Sequence, residues 1–300
     1  MILSKYVLPT DRLIADGEFD KLVKSNSIVH GNAISFLDSA KYLDDIERNP
    51  SINCIICLPE FVDHMSKIKQ IHGIISSPNP RVSFFILHNQ LCDDSFYALP
   101  TVETSIGSNC SISKQSYIDS KNVIIGDNVV IEEFVSIRGH CEISDYAVIR
   151  SGCQIGGSGY EFTRIEDETL FARHIGQVKI GCGTQIWHNC SIHKAVFPWD
   201  ITVVGANVQI NSNVHIDHGT KIQNGTKVCA GVTISGRVNV GEFCYIGPGA
   251  VLSNNISIGD SAKISLGAVV TKDVPPNQVV SGNFAIDHNL FINNLKGIIR

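Results

Sequence analysis

An aliphatic residue recurs at every sixth position through most of the second half of this chain, and we call these positions slots. Twelve consecutive slots run from Val204 to Val270 without an exception, and the residue two before most of them is small or aliphatic. Shorter series with the same spacing begin at Ile106, Ile125 and Ile180. A period of six matches neither the 3.6-residue turn of an α-helix nor the alternation of a long flat strand. It indicates short strands separated by turns, with one set of side chains pointing into a shared interior, as in a β-helix.

Composition and charge narrow the classes of function. The chain has 300 residues, of which 43% are hydrophobic and 18% charged, as is usual for a protein with a substantial core. A net charge of -5 and the lack of a dense Lys/Arg run argue against nucleic acid as the main partner. Residues 1–20 carry charges that interrupt any signal-peptide core, and no apolar stretch approaches the roughly 18 residues of a membrane span. We therefore expect a cytoplasmic chain without membrane insertion.

The ten cysteines are explained largely by packing. Half of them occupy the small position two before a slot, where a thiol packs as a small hydrophobic group: Cys110, Cys141, Cys153, Cys190 and Cys244. Cys54 and Cys57 lie in an apolar run, and residues three apart on a strand point to opposite faces, so the pair is not expected to hold a metal. We predict reduced, structural thiols.

The first part of the chain, residues 1–98, lacks the six-residue period. Within it, residues 51–58 and residues 81–88 are apolar runs typical of strands, the second one around Val82, Phe84 and Ile86. Residues 59–70 begin with proline and predict a helix. This alternation predicts a small α/β domain.

The repeat region is expected to extend over residues 99–282. Two stretches interrupt its phase, residues 156–177 and residues 194–200. In a repeat protein of this kind, such insertions project from one face and often line the binding site. The apolar spacing within residues 286–300 is helical, so residues 283–300 are predicted to form a short helical cap.

Three parts of the chain carry a resemblance to a known family. Residues 34–42 read ISFLDSAKY, residues 155–162 read IGGSGYEF with HIGQVKIG at 174–181, and VHIDHG at 214–219 precedes AGVTISG at 230–236. These motifs resemble the uridine-binding segment, the inserted loop and the catalytic histidine segment of hexapeptide-repeat acyltransferases, including the UDP-3-O-acylglucosamine N-acyltransferases of lipid A and lipopolysaccharide synthesis. The resemblance implies a mainly β fold, a left-handed parallel β-helix of three faces with an N-terminal α/β domain of nucleotide-binding type and a C-terminal helix. It also implies a homotrimer.

The resemblance further implies the roles of three residues. His218 matches the general base, and histidine suits that role because its unperturbed pKa lies near neutral pH. Asp217 is placed to orient its imidazole. Gly236 lies one three-faced coil after His218, so it is expected to stack beside the histidine at roughly 4.8 Å and to offer its N–H to the oxyanion.

Other residues match the substrate contacts of the family. Phe36 and Tyr42 correspond to an aromatic pair that stacks on the pyrimidine base, although packing within the domain explains them equally well. Gly157, Tyr160 and Phe162 lie in the inserted loop and are predicted to contact the sugar, with loop packing as the alternative.

Two polar residues and a histidine pair complete the set of candidates. Asn189 matches a polar position of the family. Lys272 resembles a basic residue that meets the phosphates of coenzyme A, although a solvated lysine is the simpler interpretation. His188 and His193 are spaced like the zinc ligands of a hexapeptide-repeat carbonic anhydrase, but no third histidine lies at the matching distance. We expect no metal.

The chain departs from the lipid A enzymes after the repeat. The segment that follows is shorter than their helical tail, and Gly-Asn-Phe-Ala at 282–285 replaces their usual Gly-x-Pro-Ala. The predicted function is therefore transfer of a short acyl group, acetyl to hydroxybutyryl, from acyl-coenzyme A to the amine of a dTDP- or UDP-linked amino sugar. One alternative is a UDP-3-O-acylglucosamine N-acyltransferase that uses a hydroxyacyl carrier protein. Another is a non-catalytic nucleotide-sugar-binding or scaffold protein.

Overall fold

The computed structural model of the protein describes residues 1–165 and 167–282, together with residues 288, 290, 292 and 293. In the repeat region, each short strand pairs in parallel with the strand one coil before and one coil after it, and three sheets result. Face 1 consists of Ser105–Ile106, Val123–Ile125, Cys141–Ile143, Gln177–Ile180, Ile201–Val204, Lys221–Ile222, Asn239–Val240 and Ser257–Ile258. Face 2 consists of Ser111–Ile112, Val130–Ile131, Val148–Ile149, Gln185–Ile186, Gln209–Ile210, Lys227–Val228, Tyr245–Ile246, Lys263–Ile264 and Val279–Val280. Face 3 consists of Tyr117–Ile118, Ser136–Ile137, Gln154–Gly157, Ser191–His193, His215–Ile216, Thr233–Ile234, Val251–Leu252 and Val269–Val270. The three sheets are the faces of a left-handed parallel β-helix, which confirms the predicted fold class.

The slot residues form the core of this helix. From Ile125 onward they are buried and belong to one continuous hydrophobic cluster. The first slot, Ile106, is 52% exposed because no earlier coil covers it. The cysteines at the small interior positions are buried except for Cys110, which is half-buried in the first coil, and all ten cysteines are free.

The N-terminal region forms a separate sheet. Its strands in chain order are β1 (Arg12–Ala15), β2 (Lys21–Leu22), β3 (Ala33–Leu37), β4 (Ile52–Cys57) and β5 (Gly73–Ser76). They lie in the order β1–β5–β4–β3–β2, and only the β1–β5 pair is antiparallel. The α-helices are α1 (Leu43–Arg48), α2 (Val62–Met65) and α3 (Pro80–Leu91), and 3-10 turns span Leu3–Tyr6, Ala40–Tyr42 and Pro59–Phe61. The division of the chain into domains after residue 98 stays a prediction.

The prediction of a strand over residues 81–88 is wrong, because this segment lies within helix α3. The alternation of Val82, Phe84 and Ile86 suggested a strand, but the buried side chains of Phe84, Leu87 and Leu91 follow helical spacing. Pro80 at the first helical position supplies the start. The helix predicted over residues 59–70 is much shorter, ending with α2 at Met65.

Both out-of-phase insertions connect the β-helix to the N-terminal sheet. The first contains an antiparallel hairpin of Phe162–Ile165 and Glu168–Phe171, which we call the inserted hairpin. In the second, the Phe197 ring meets the edge of Phe84 at 6.0 Å, and the Trp199 indole N–H donates to the Leu22 carbonyl at 2.8 Å. The N-terminal region is therefore held against one side of the β-helix.

The predicted helical cap over residues 283–300 lies outside the described residues, apart from His288, Leu290, Ile292 and Asn293, which have helical backbone. Among the helices that the structure describes, none is both long enough and apolar enough to cross a bilayer.

Candidate active site

His218 lies at the corner between face 3 and face 1, immediately after the strand His215–Ile216. Because slot Ile216 points inward, the residues that follow it turn away from the helix interior, as the sequence suggested. The residue is nevertheless only 7% exposed. The first insertion covers it: a Cβ added to Gly159 would lie 3.1 Å from His218 Nδ1, and the His174 ring meets the His218 ring edge-on at 5.5 Å. His218 thus occupies an enclosed site beneath the insertion.

Asp217 fixes the orientation of the His218 ring. Its Oδ1 accepts the His218 backbone N–H at 2.8 Å, His218 Nδ1 at 3.1 Å and His193 Nδ1 at 3.1 Å. Burial raises the pKa of the Asp217 carboxyl, but these hydrogen bonds outweigh burial and hold the pKa well below its ordinary value. Since an ionised carboxylate only accepts, His218 Nδ1 must carry a proton, and in the neutral ring Nε2 is left as an acceptor.

Gly236 stacks on the coil that carries His218. The strands before them pair Ile216 with Ile234, and the Arg237 N–H donates to the His218 carbonyl at 2.9 Å. A Cβ added to Gly236 would lie 2.7 Å from His218 Nε2, so the glycine backbone passes directly beside this nitrogen. Within the described part of the chain, the Gly236 N–H has no acceptor. It is therefore free to donate to a ligand.

Glu161 faces His218 from the insertion, and sequence analysis did not single it out as a site residue. It is 6% exposed, and its Oε2 lies 3.7 Å from His218 Nε2. Lys24 Nζ donates to Oε2 at 2.8 Å and Arg81 to Oε1 at 2.5 Å. Burial raises the pKa of the Glu161 carboxyl. The charges of Lys24 and Arg81 lower this pKa by more than burial raises it, so the net shift is downward. Its only signal in the sequence was a charge where the repeat phase called for an aliphatic residue.

His174 forms another wall of the site. Its Nδ1–H donates to the Ala172 carbonyl at 2.9 Å, and among the described residues its buried Nε2 has no partner. Burial, with a contribution from the His218 charge, lowers the pKa of His174 to about 4. His174 is therefore a neutral ring that presents an unpaired acceptor to the site.

A cavity of about 440 Å³ extends from Glu161 into the N-terminal region. Its lining includes both cations that hold Glu161 and both predicted base-stacking aromatics, Phe36 and Tyr42. Phe36 also packs on Phe84 at 5.0 Å and belongs to the core, so the packing interpretation holds for it as well. Asn254, eighteen residues after Gly236, adds a wall from the next coil.

The predicted sugar-contacting residues of the loop differ in position. Tyr160 is 77% exposed and meets the partly exposed Phe162 edge-on at 4.6 Å, so both aromatics point away from His218 while Glu161, between them, points toward it. Gly157 lies at the end of its strand and pairs with His193. Because His193 is hydrogen-bonded to Asp217, Gly157 lies close to the site.

The two remaining candidates lie further away. Asn189 is an exposed turn residue at the corner between face 2 and face 3, and its N–H donates to the Ser151 carbonyl at 3.1 Å. It is not brought to His218 within the described structure. Lys272 is exposed at the same corner as Gly236, two coils further along, or roughly 10 Å at the usual strand spacing.

Three side chains next to His218 have the donor types of a metal site. One ligand atom from each of His193, His215 and Asp217 lies within 4.8 Å of the others. Hydrogen bonds already account for these groups, since Asp217 Oδ1 accepts three N–H groups and His215 Nδ1 is paired with Ser191 Oγ at 2.9 Å. The expectation that the site uses no metal stays a prediction.

Comparison with known proteins agrees with the repeat and the fold. The family described as bacterial transferase hexapeptide (six repeats) matches residues 122–157. A UDP-3-O-acylglucosamine N-acyltransferase from Hydrogenovibrio crunogenus is 29% identical over 101 residues, which is 32% of this chain. The match spans only 28% of that relative's length.

Solved structures share the architecture over a longer part of the chain. A UDP-N-acetylglucosamine acyltransferase from Bacteroides fragilis is 26% identical with a TM-score of 0.53, and the match covers 61% of this chain and 68% of that one. The enzyme of the same name from Campylobacter jejuni has a TM-score of 0.53 at 19% identity, covering 65% and 79%. The chain thus contains a stretch of bacterial transferase hexapeptide repeats and has a β-helix fold. Its particular likeness, in sequence and in fold, is to acyltransferases of UDP-sugars.

Proposed function

We propose that the protein is an N-acyltransferase that moves a short acyl group from acyl-coenzyme A to the amine of a UDP- or dTDP-linked amino sugar. The observation that carries this proposal is the cavity that runs from Glu161 beside His218 to the aromatic side chains of Phe36 and Tyr42. A nucleotide-linked sugar has its base at one end and its amine at the other, and the cavity offers suitable chemistry at both ends.

The nucleotide half of the substrate binds to the N-terminal region. The pyrimidine base stacks between Phe36 and Tyr42, since flat aromatic faces bury a base without requiring a particular hydrogen-bond pattern. Lys24 and Arg81 line the same cavity and supply positive charge for the diphosphate. Gly157, Tyr160 and Phe162 belong to the loop beside the sugar.

Acyl transfer takes place by direct attack in a ternary complex. The amine nitrogen of the sugar bonds to the thioester carbon while His218 Nε2 takes a proton from it. Asp217 stabilises the imidazolium that forms. The Gly236 N–H donates to the oxyanion of the tetrahedral intermediate. When this collapses, the carbon–sulfur bond breaks and the proton passes from His218 to the leaving thiolate. Lys272, at the same corner, meets the phosphates of coenzyme A, and Asn189 contacts substrate only from a neighbouring subunit of a homotrimer.

The similarity to a UDP-3-O-acylglucosamine N-acyltransferase supports a second candidate, in which the donor is a hydroxyacyl carrier protein. The two candidates share the acceptor chemistry and differ in the thioester. Turnover with carrier-bound hydroxyacyl chains but not with short acyl-coenzyme A would support the second candidate.

The test measures free thiol release while UDP- and dTDP-linked amino sugars are crossed with short acyl-coenzyme A donors. His218→Ala removes the base, so kcat should fall about 10²- to 10⁴-fold while coenzyme A binding persists. His188→Ala is the matched control, because His188 is an exposed histidine at another corner of the same helix. Near-normal turnover by His218→Ala would refute the mechanism.

A further inference from the structure

We propose that His218 and Glu161 together form a binding subsite for an ammonium or amine nitrogen, and that this subsite makes the enzyme select amines over hydroxyls as acyl acceptors. The inference rests on the proposed function and adds to it a recognition role for Glu161. It starts from two buried acceptor atoms, Glu161 Oε2 and His218 Nε2, that lie close together at the end of the cavity lined by Glu161.

The distance between the two acceptors fits one bridging nitrogen. Glu161 Oε2 and His218 Nε2 are 3.7 Å apart, which is too long for a direct hydrogen bond. A nitrogen that lies roughly 2.8 Å from each of them, the usual length of a charge-assisted hydrogen bond, bridges such a gap with two N–H donors. In the neutral His218 ring, Nε2 accepts because Asp217 holds the proton on Nδ1.

The carboxylate is built to stay in place and ionised. Lys24 and Arg81 each donate to one oxygen of the almost fully buried Glu161 carboxylate. These two contacts hold the side chain in place and compensate its charge. Each carboxylate oxygen has more than one acceptor site, so Oε2 can accept a second N–H beside that of Lys24. His174 lies next to His218, and its unpaired Nε2 is an acceptor, so it does not compete with the ligand as a donor. Apart from the Gly236 N–H, which the proposed mechanism assigns to the oxyanion, the free groups named here are acceptors and suit a donor-rich ligand.

The proton count explains the selection. A bound ammonium releases one proton to solvent, and the neutral amine still has two N–H groups, one for Glu161 and one for His218, with its lone pair left for the thioester carbon. His218 then takes the second proton as the carbon–nitrogen bond forms and the carbon–sulfur bond breaks. A hydroxyl has one proton, so it satisfies one acceptor and turns its oxygen lone pairs toward the other. Facing a buried carboxylate with an oxygen in this way is unfavourable.

The experiment uses matched pairs of UDP- and dTDP-linked sugars that carry an amine or a hydroxyl on the same carbon. For Glu161→Gln we expect KM for the amino sugar to rise about 10- to 100-fold, the range expected when a hydrogen bond to a charged group is lost. KM for acyl-coenzyme A should not change, and the preference for amine over hydroxyl should fall by a similar factor. Glu161→Asp keeps the charge and should retain the preference at weaker binding.

Glu142→Gln is the matched control, because Glu142 is ion-paired with Lys179 at 2.7 Å on face 1, away from His218. Calorimetric binding of each sugar pair, without donor, separates the two proposals. If amine-over-hydroxyl discrimination in binding is the same in wild type and Glu161→Gln, the subsite is overturned even when transfer is normal. If wild type transfers no acyl group to any amino sugar but still discriminates in binding through Glu161, the proposed function fails and the subsite stands.

Discussion

At Gly236 the site leaves no room for a side chain. The glycine backbone lies against His218 Nε2, and an added Cβ would come within 2.7 Å of that nitrogen. The absence of a side chain therefore does two things, since it lets the Nε2 end of the imidazole approach the next coil and leaves the Gly236 N–H open to a ligand. The same position in other coils holds a side chain, as Asn254 and Lys272 show at the same corner.

We predict that Gly236→Ala lowers kcat on the order of 10²-fold or more, because the methyl group displaces His218 and obstructs the oxyanion donor. The fold should persist, with a similar melting temperature, since the change lies at a turn rather than in a slot. Gly139→Ala is the control at the same corner of an earlier coil, where the nearest atom to an added Cβ is 3.3 Å away. Unchanged kcat in Gly236→Ala would contradict the role of this glycine.

At the scale of elements, helix α3 and the first insertion are joined through His88. Its Nε2–H donates to the Arg173 carbonyl at 2.7 Å, and its Nδ1 accepts from the Tyr97 hydroxyl at 2.8 Å. Arg173 also forms two hydrogen bonds with Asp93, at 2.7 and 2.9 Å. The insertion that covers His218 is thus positioned by contacts far from the chemistry.

The buried His88 ring should make the free energy of unfolding depend on pH. Burial, with help from the Arg173 charge, lowers the pKa of His88 from 6.5 to about 4. As pH falls, His88 therefore takes up its proton in the unfolded chain before it does so in the folded chain. The free energy of unfolding should decline between about pH 6.5 and pH 4 and level off below pH 4. The linkage amounts to about 2 kcal/mol at pH 5. Denaturant unfolding at pH 7.5 and pH 5 should show this loss in wild type and a smaller one in His88→Gln, and equal losses in both would refute the assignment.

For the whole molecule, the stacked slots should carry the stability of the β-helix. Ile210 is fully buried, so Ile210→Ala should cost about 2–5 kcal/mol and lower the melting temperature clearly. Ile106 is the same residue type in the same repeat but is half exposed at the open end, and Ile106→Ala should cost much less. Thermal unfolding of both variants checks this, and equal effects would mean that the coils do not share one core.

The sequence predicted those parts of the molecule that depend on local spacing. The six-residue period predicted the interior of the helix and, through the resemblance, the stacking of Gly236 beside His218. It could not predict Glu161 as a partner of His218, because Lys24, Arg81 and Glu161 meet only through the docking of the N-terminal sheet. The helix at residues 80–91 was missed because three alternating apolar residues imitate a strand over so short a span.

The coil that contains the inserted hairpin pairs Ile155 with Ile192, just as Ile216 pairs with Ile234 in coils without an insertion, and its ladder shifts register between Ile155 and Gly157, where the insertion leaves the strand. The β-helix therefore absorbs the inserted residues at one bulge, and the core pairing of Ile155 with Ile192 is kept. A different hairpin could be spliced in at this point, changing which acceptor is recognised, while the coils beneath it and the corner that holds His218 keep their register.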